Sequence, residues 1–200
     1  MGTQNYTIKQ GETWRRVLRW EQGIFTYKPI TAISQAAPVQ ITAVGHGVIN
    51  GWRFAISNVL GMVEINAKKE PPDEQTEYHV ASEVATDTLK INRLNSLGFT
   101  AYKSGGVLRY HPPVDLTGYT ARMQFRKSAK DATILHSLTT ENGGITLDNA
   151  TKTITLLVPK ADTEGFTFTS AVYDLEMVSI GLEVYIPVSG SISIVKNVTR

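Results

Sequence analysis

The chain has no cysteine among its 200 residues. Disulfides, thiolate metal sites and cysteine nucleophiles are therefore excluded outright. It also lacks any apolar run approaching the ~20 residues that a membrane-spanning helix needs. Met1 to Gln10 shows no basic start followed by an apolar stretch, so no secretory signal is expected there. Charge of one sign is equally scarce. Twenty Lys and Arg against eighteen Asp and Glu leave a net charge of +2, and the densest basic group is Arg15, Arg16 and Arg19 around Trp14 and Trp20. A nucleic-acid footprint needs a denser stripe than that, so the expectation is a soluble chain bound to neither nucleic acid nor membrane.

Chemistry-bearing patterns are sparse too. The histidines are His46, His79, His111 and His136, none in an HExxH or HxH arrangement. His46 between two glycines reads as a turn residue, His79 as a half-exposed sheet residue, and His111 is held extended by Pro112. Ser104-Gly105-Gly106 and Asn142-Gly143-Gly144 lack the phosphate-cradling GxxxxGK[ST] pattern, and there is no GxSxG elbow. The expectation is a protein that is not an enzyme, with no catalytic, cofactor-binding or metal-binding residues.

What is present is alternation. From Tyr119 to Arg126, Ala121, Met123 and Phe125 fall on one face, and Arg122, Gln124 and Arg126 on the other, which is the period of a half-buried strand. Val172 to Val178 repeats it, with Tyr173, Leu175 and Met177 opposite Asp174 and Glu176. Those paired carboxylates read as a solvated outer face ahead of an acid–base or cation site. Ile145–Leu147, the turn Asp148–Thr151 and Thr153–Val158 read as a hairpin. Pro159 to Gly165 suits one helical turn with proline at its first position. Val184 to Val188 and the SISIVKNV run resume the strand pattern, Pro187 marking an edge or a bulge. Tyr6–Lys9 and Thr13–Trp20 read as strands, a helix being the competitor for the second.

Residues 29–107 differ. Pro29, Pro38, Pro71 and Pro72 punctuate them, and short strands are expected at Val39–Val44, Trp52–Ser57, Glu77–Val80 and Thr88–Ile91, as in a small sheet or barrel. Lys68 to Glu74 reads as an exposed, charged loop.

The run Pro113-Val114-Asp115-Leu116-Thr117-Gly118-Tyr119-Thr120-Ala121-Arg122-Met123-Gln124-Phe125-Arg126 resembles a signature of small tailed-bacteriophage structural proteins, similar to the N-terminal β-sandwich of fibre-anchoring upper-baseplate proteins. The resemblance continues through Asn142-Gly143-Gly144-Ile145, Tyr173-Asp174-Leu175-Glu176 and Val198-Thr199-Arg200. In such proteins a stretch like Gln10-Gly11-Glu12-Thr13 through Trp20 precedes the DLTGY segment by a short connection; here residues 29–107 intervene. His46-Gly47, Gly51-Trp52, Gly61-Met62, Ile65-Asn66, Tyr78-His79-Val80, Asp87-Thr88, Gly98-Phe99 and Tyr102-Lys103-Ser104-Gly105-Gly106 are similar to a small β module of phage tail proteins. That module bears the label of the first catalytic-cysteine half-domain of ubiquitin-activating enzymes. With no cysteine, no ubiquitin chemistry follows.

The resemblance implies an all-β chain: an immunoglobulin-like antiparallel β-sandwich of residues 1–28 plus 108–200, carrying an inserted small β-barrel at 29–107. Loop insertion is cheap, since closure costs only about 0.6 kcal/mol per doubling of length. It implies a virion protein assembled in the host cytoplasm, a tail or baseplate adaptor or fibre anchor. Its partners would be other virion proteins, and it would be a homo-oligomer or symmetric ring. Candidate interface residues are Trp14, Trp20, Arg122, Gln124, Arg126 and Arg200. The alternatives are a capsid or head–tail neck decoration protein, and a carbohydrate-binding module that meets host glycan through Trp52, Tyr102 and Tyr110.

Overall fold

The computed structural model describes residues 2–198. Strand accounts for 44% of the chain and helix for 4%, so the protein is all-β, with several antiparallel sheets. In chain order the strands are β1 (Gly2–Thr3), β2 (Tyr6–Lys9), β3 (Trp14–Leu18), β4 (Thr26–Pro29), β5 (Ala32–Ile33), β6 (Val39–Thr42), β7 (Arg53–Leu60) and β8 (His79–Val80). They continue as β9 (Thr88–Ile91), β10 (Ser104–Tyr110), β11 (Thr120–Arg126), β12 (His136–Thr139), β13 (Ile145–Asp148), β14 (Thr153–Val158), β15 (Ser170–Val178) and β16 (Val184–Val195). A helix, α1 (Lys160–Glu164), joins β14 to β15. Pro159 is its N-cap, one place earlier than the sequence suggests.

The chain forms two compact units, residues 1–20 with 114–200 and residues 21–113. The junctions lie outside the 28/29 and 107/108 positions expected from sequence, because β4 and β10 pair with each other from Thr26↔Tyr110 to Pro29↔Val107 and both belong to the inserted unit.

In the first unit one sheet runs β1-β16-β15-β11-β12, with β2 also on β16, and a second runs β13-β14-β3. Both β1 and β2 lie parallel to β16. Alternation explains the register. Ala121, Met123 and Phe125 stand opposite Met177, Leu175 and Tyr173, all turned inward and at most 3% exposed. Ile154, Leu156 and Val158 of β14 complete that core from the other sheet. Each of the buried Met, Leu, Ile, Val and Phe side chains contributes about 1.5–3 kcal/mol by leaving water. Pro187 sits where the β15–β16 register shifts between Leu175 and Met177, as a residue without an N–H requires.

In the inserted unit, β10 lies between β4 and β7, and β7 pairs with β8. A second sheet runs β5-β6-β9. The chain passes from β4 into β5, with Ile30 N–H on Gly106 O and Thr31 N–H on Thr42 O, and a Ser82–Lys90 bridge joins the residues after β8 to β9. The two sheets share a core of Val39, Ile41, Trp52, Phe54, Ile56, Leu89 and Leu108. Gly106 is required in β10: its φ is +96°, and a Cβ there would lie 2.6 Å from Val59 Cγ2.

Candidate interaction surface

The outward residues of β11 are brought together as alternation predicts. Arg122 stands opposite Glu176, Gln124 opposite Asp174 and Arg126 opposite Val172. The next strand sets Ser189 opposite Asp174 and Gly190 opposite Tyr173. These side chains line an open groove of about 650 Å³ on the outer face of the large sheet.

The groove is polar and internally braced. Arg122 Nε donates to Glu176 Oε2 across the strands. Both are partly exposed, so the pair contributes about 0–1 kcal/mol and serves mainly to orient the two heads. Arg126 is held at three points: Nε and Nη2 donate to Gln124 Oε1 at 3.2 and 2.7 Å, and Nη1 donates to Asp131 O at 2.8 Å. Asp174 is exposed, and among the described residues its carboxylate has no hydrogen-bond or ion-pair partner. Beneath the groove the Tyr173 hydroxyl donates to Gln4 O at 2.8 Å, and burial pushes its pKa well above the ordinary phenol value. Such a surface offers a fixed pattern of donors and acceptors with one carboxylate available. Among the described residues no three His, Cys, Asp or Glu side chains gather where they could hold a metal ion.

The remaining candidates fall elsewhere. Trp14 is 4% exposed and packs edge-on against Tyr6, ring centroids 5.2 Å apart; it is core, because its parity on β3 points it inward. Trp20 is half-buried against Tyr119 and Tyr185, at 5.7 and 5.5 Å. Arg200 lies outside the described residues. The aromatics expected as a sugar platform do not form one. Trp52 and Tyr110 are core residues, 0% and 4% exposed, with Trp52 Nε1 donating to His111 O and the Tyr110 hydroxyl to His46 O. Tyr102 is half-buried and its hydroxyl is bound to Ile30 O and Gly105 O. His46 is buried rather than displayed in a turn, its Nδ1 accepting the Val48 N–H at 3.0 Å.

The charged loop from Lys68 to Glu74 is organised, not merely solvated. The Glu77 carboxylate accepts the N–H groups of Lys68, Lys69 and Asp73, and Pro72 is buried. Glu70 bonds Arg109, whose guanidinium lies 3.7 Å over the Phe25 ring, and Glu74 bonds Arg53. Ala129, Ser189 and Gly190 are groove residues that the sequence reading does not single out; parity counted back from the buried Ile192 places Ser189 on the outward face.

No protein-family model matches the chain, and no curated protein matches it.

Proposed function

We propose that this chain is a non-catalytic structural component of a tailed-phage virion, a tail or baseplate adaptor that works through the outer face of its larger sheet. The first unit reads as an immunoglobulin-like β-sandwich. In favour of this are the order β16-β15-β11-β12 facing β3-β14-β13, matching the division of seven-stranded sandwiches into two sheets, and the helix at the β14–β15 corner. The insertion then occupies the loop between the second and third strands. The inserted unit reads as a small barrel, supported by pairings that run β10-β4/β5-β6-β9-β8-β7 and back to β10.

The observation that carries the interface reading is the open groove in which Arg122, Gln124 and Arg126 meet Asp174 and Ser189 on rigid, fully paired strands. Partners recognise such preorganised polar arrays without the entropy cost of ordering loops. The virion assignment adds the sequence resemblance of the DLTGY segment, and repetition about a symmetry axis is the usual state of such parts. Mass spectrometry of purified particles separated into heads and tails tests it. The chain is expected in the tail fraction, and virions carrying Asp174→Lys are expected to lose it. Absence from both fractions sinks the assignment.

A further inference from the structure

We infer that β3 is a docking edge for an acidic, extended segment of a partner protein, which adds to the β13-β14-β3 sheet as its next strand. This goes beyond the groove on the opposite sheet and does not depend on it.

The edge is open. Among the described residues β3 pairs with β14 and with nothing beyond it. Which of its backbone groups face outward follows from β14. Leu157 N–H donates to Gly144 O on the β13 side, and in an antiparallel ladder a residue sends its N–H and C=O to the same side. Leu157 and its neighbour Arg15 are therefore a pair that exchanges no hydrogen bonds, and so are Thr155 and Val17. The N–H and C=O groups of Arg15 and Val17 consequently point away from the sheet. Among the described residues one partner alone is recorded for them, the Arg16 Nη1 donating to Arg15 O at 2.8 Å.

Sheet edges are normally blunted by proline, lysine, bulges or shortness. β4 carries Lys28 and Pro29, and β1 and β8 are two residues long. By contrast β3 is five residues in unbroken register with β14, with no proline and no bulge. Its charges are all positive. Arg15 and Arg16 are exposed, and among the described residues neither meets a carboxylate within ion-pair distance; the Arg16 guanidinium lies instead 5.4 Å from the Trp14 ring centroid and 6.0 Å from that of Tyr6. Val17, on the same strand face as Arg15, is 48% exposed. An added strand gains main-chain hydrogen bonds at Arg15 and Val17, an apolar neighbour at Val17 and opposite charge at the arginines. Strand addition draws affinity from the main chain and selectivity from alternate side chains. The matching segment carries two adjacent Asp or Glu residues, one for each face, next to a β-branched residue that meets Val17.

Fluorescence anisotropy with the full chain tests this, using a short labelled peptide in which adjacent aspartates stand beside valine and threonine, and its lysine counterpart. The aspartate peptide is expected to bind at least tenfold more tightly than the lysine one, and to slow amide exchange at Arg15 and Val17. Val17→Pro removes an outward N–H at an edge where proline is tolerated, and Arg15→Glu with Arg16→Glu reverses the charge. Each is expected to weaken binding at least tenfold, with an unchanged circular dichroism spectrum showing that the fold is kept. Asp174→Lys, in the groove, is expected to leave peptide binding unchanged, so the two surfaces fail or succeed separately. No binding at millimolar peptide, equal binding of both peptides, or unaltered exchange at Arg15 and Val17 overturns the inference. So does association of the chain with itself through this edge, seen as concentration-dependent dimerisation that Val17→Pro abolishes.

Discussion

The Arg53 guanidinium grips the Glu21 carboxylate with two parallel hydrogen bonds, Nε to Oε1 and Nη2 to Oε2, each 2.6 Å long. Glu21 opens the inserted unit and Arg53 opens β7, so this fork ties the first residue of the unit to one of its central strands. Its planar geometry is particular to arginine, and the carboxylate raises the guanidinium pKa further through the hydrogen bond. Arg53→Lys keeps the charge but loses the fork. It is expected to destabilise the inserted unit by about 1–2 kcal/mol, between the worth of an exposed pair and of a charged hydrogen bond. Urea unfolding of the variant checks it, and a midpoint equal to that of the parent would show the fork to be ornamental.

Gly190 leaves no room for a side chain beside Gln4. A Cβ at Gly190 would lie 1.9 Å from Gln4 O, in the place where the segment between β1 and β2 runs alongside β16 in the same parallel register. Because the obstructing atom is backbone, no rotamer change relieves the overlap, and Gly190→Ala is expected to cost about 2–3 kcal/mol. Gly98→Ala is the control. Nothing lies within 4 Å of its added methyl, and its thermal midpoint should stay near that of the parent. Equal melting of the two variants would refute the steric account.

Burial lowers the His136 pKa below its ordinary 6.5, the Asp162 carboxylate only partly opposing this. The ring packs against Phe125 and Phe166, with centroids 5.4 and 5.2 Å away. Between the folded and unfolded pKa values the unfolded chain binds more protons. Stability is therefore full above about pH 6.5 and declines as pH falls toward the folded value. His79, lowered by burial alone, adds to the same trend in the other unit. The lowered carboxylates act only further down, Asp115 with its pKa brought to about 2 by Asn149 and Thr117. The expected result is a lower urea midpoint at pH 5 than at pH 7, with a smaller drop in His136→Phe, which keeps the aromatic packing and removes the proton. An identical drop in that variant would clear His136 of responsibility.

The sequence reveals those elements in which burial alternates cleanly. β11 and β15 are legible because every second residue enters the core, and the same parity foretells that Arg122, Gln124 and Arg126 share a face. β12 is hidden, since Leu138 is its one fully inward residue. β10 is hidden for another reason: Gly105 and Gly106 at positive φ look like a turn, although they continue a strand packed tightly on Val59. The boundary expected at 107/108 therefore falls within β10, whose residues Val107 to Tyr110 pair with β4. Trp52 and Tyr110 look like display residues in a Gly-rich sequence, yet both are packed into the core of the inserted unit. The groove is half legible. β11 supplies it by pattern and parity places Ser189, whereas Gly190 contributes by smallness, which leaves no periodic trace.

Charge density misleads most in the loop after β7. Lys68 to Glu74 carries the composition of a solvated turn, yet Glu77 holds it closed by accepting N–H groups from both of its limbs. Those hydrogen bonds, Asp73's first and then those of Lys68 and Lys69, draw the Glu77 carboxyl below its ordinary pKa of 4.5. The closure is therefore present above that pH and lost as pH falls through the folded value. Glu77→Ala strips all three bonds at neutral pH, while Glu77→Gln retains one acceptor oxygen. Trypsin is expected to cut after Lys68 and Lys69 several times faster in the alanine variant than in the parent, with the glutamine variant between them. Mass spectrometry of the digest over time reads this directly, and the same rates in all three proteins would mean that Glu77 does not hold the loop. Because Glu70 and Glu74 bind Arg109 and Arg53, an opened loop should also expose the face of β7 and β10. Faster amide exchange at Ala55 and Arg109 in Glu77→Ala is the second expected sign.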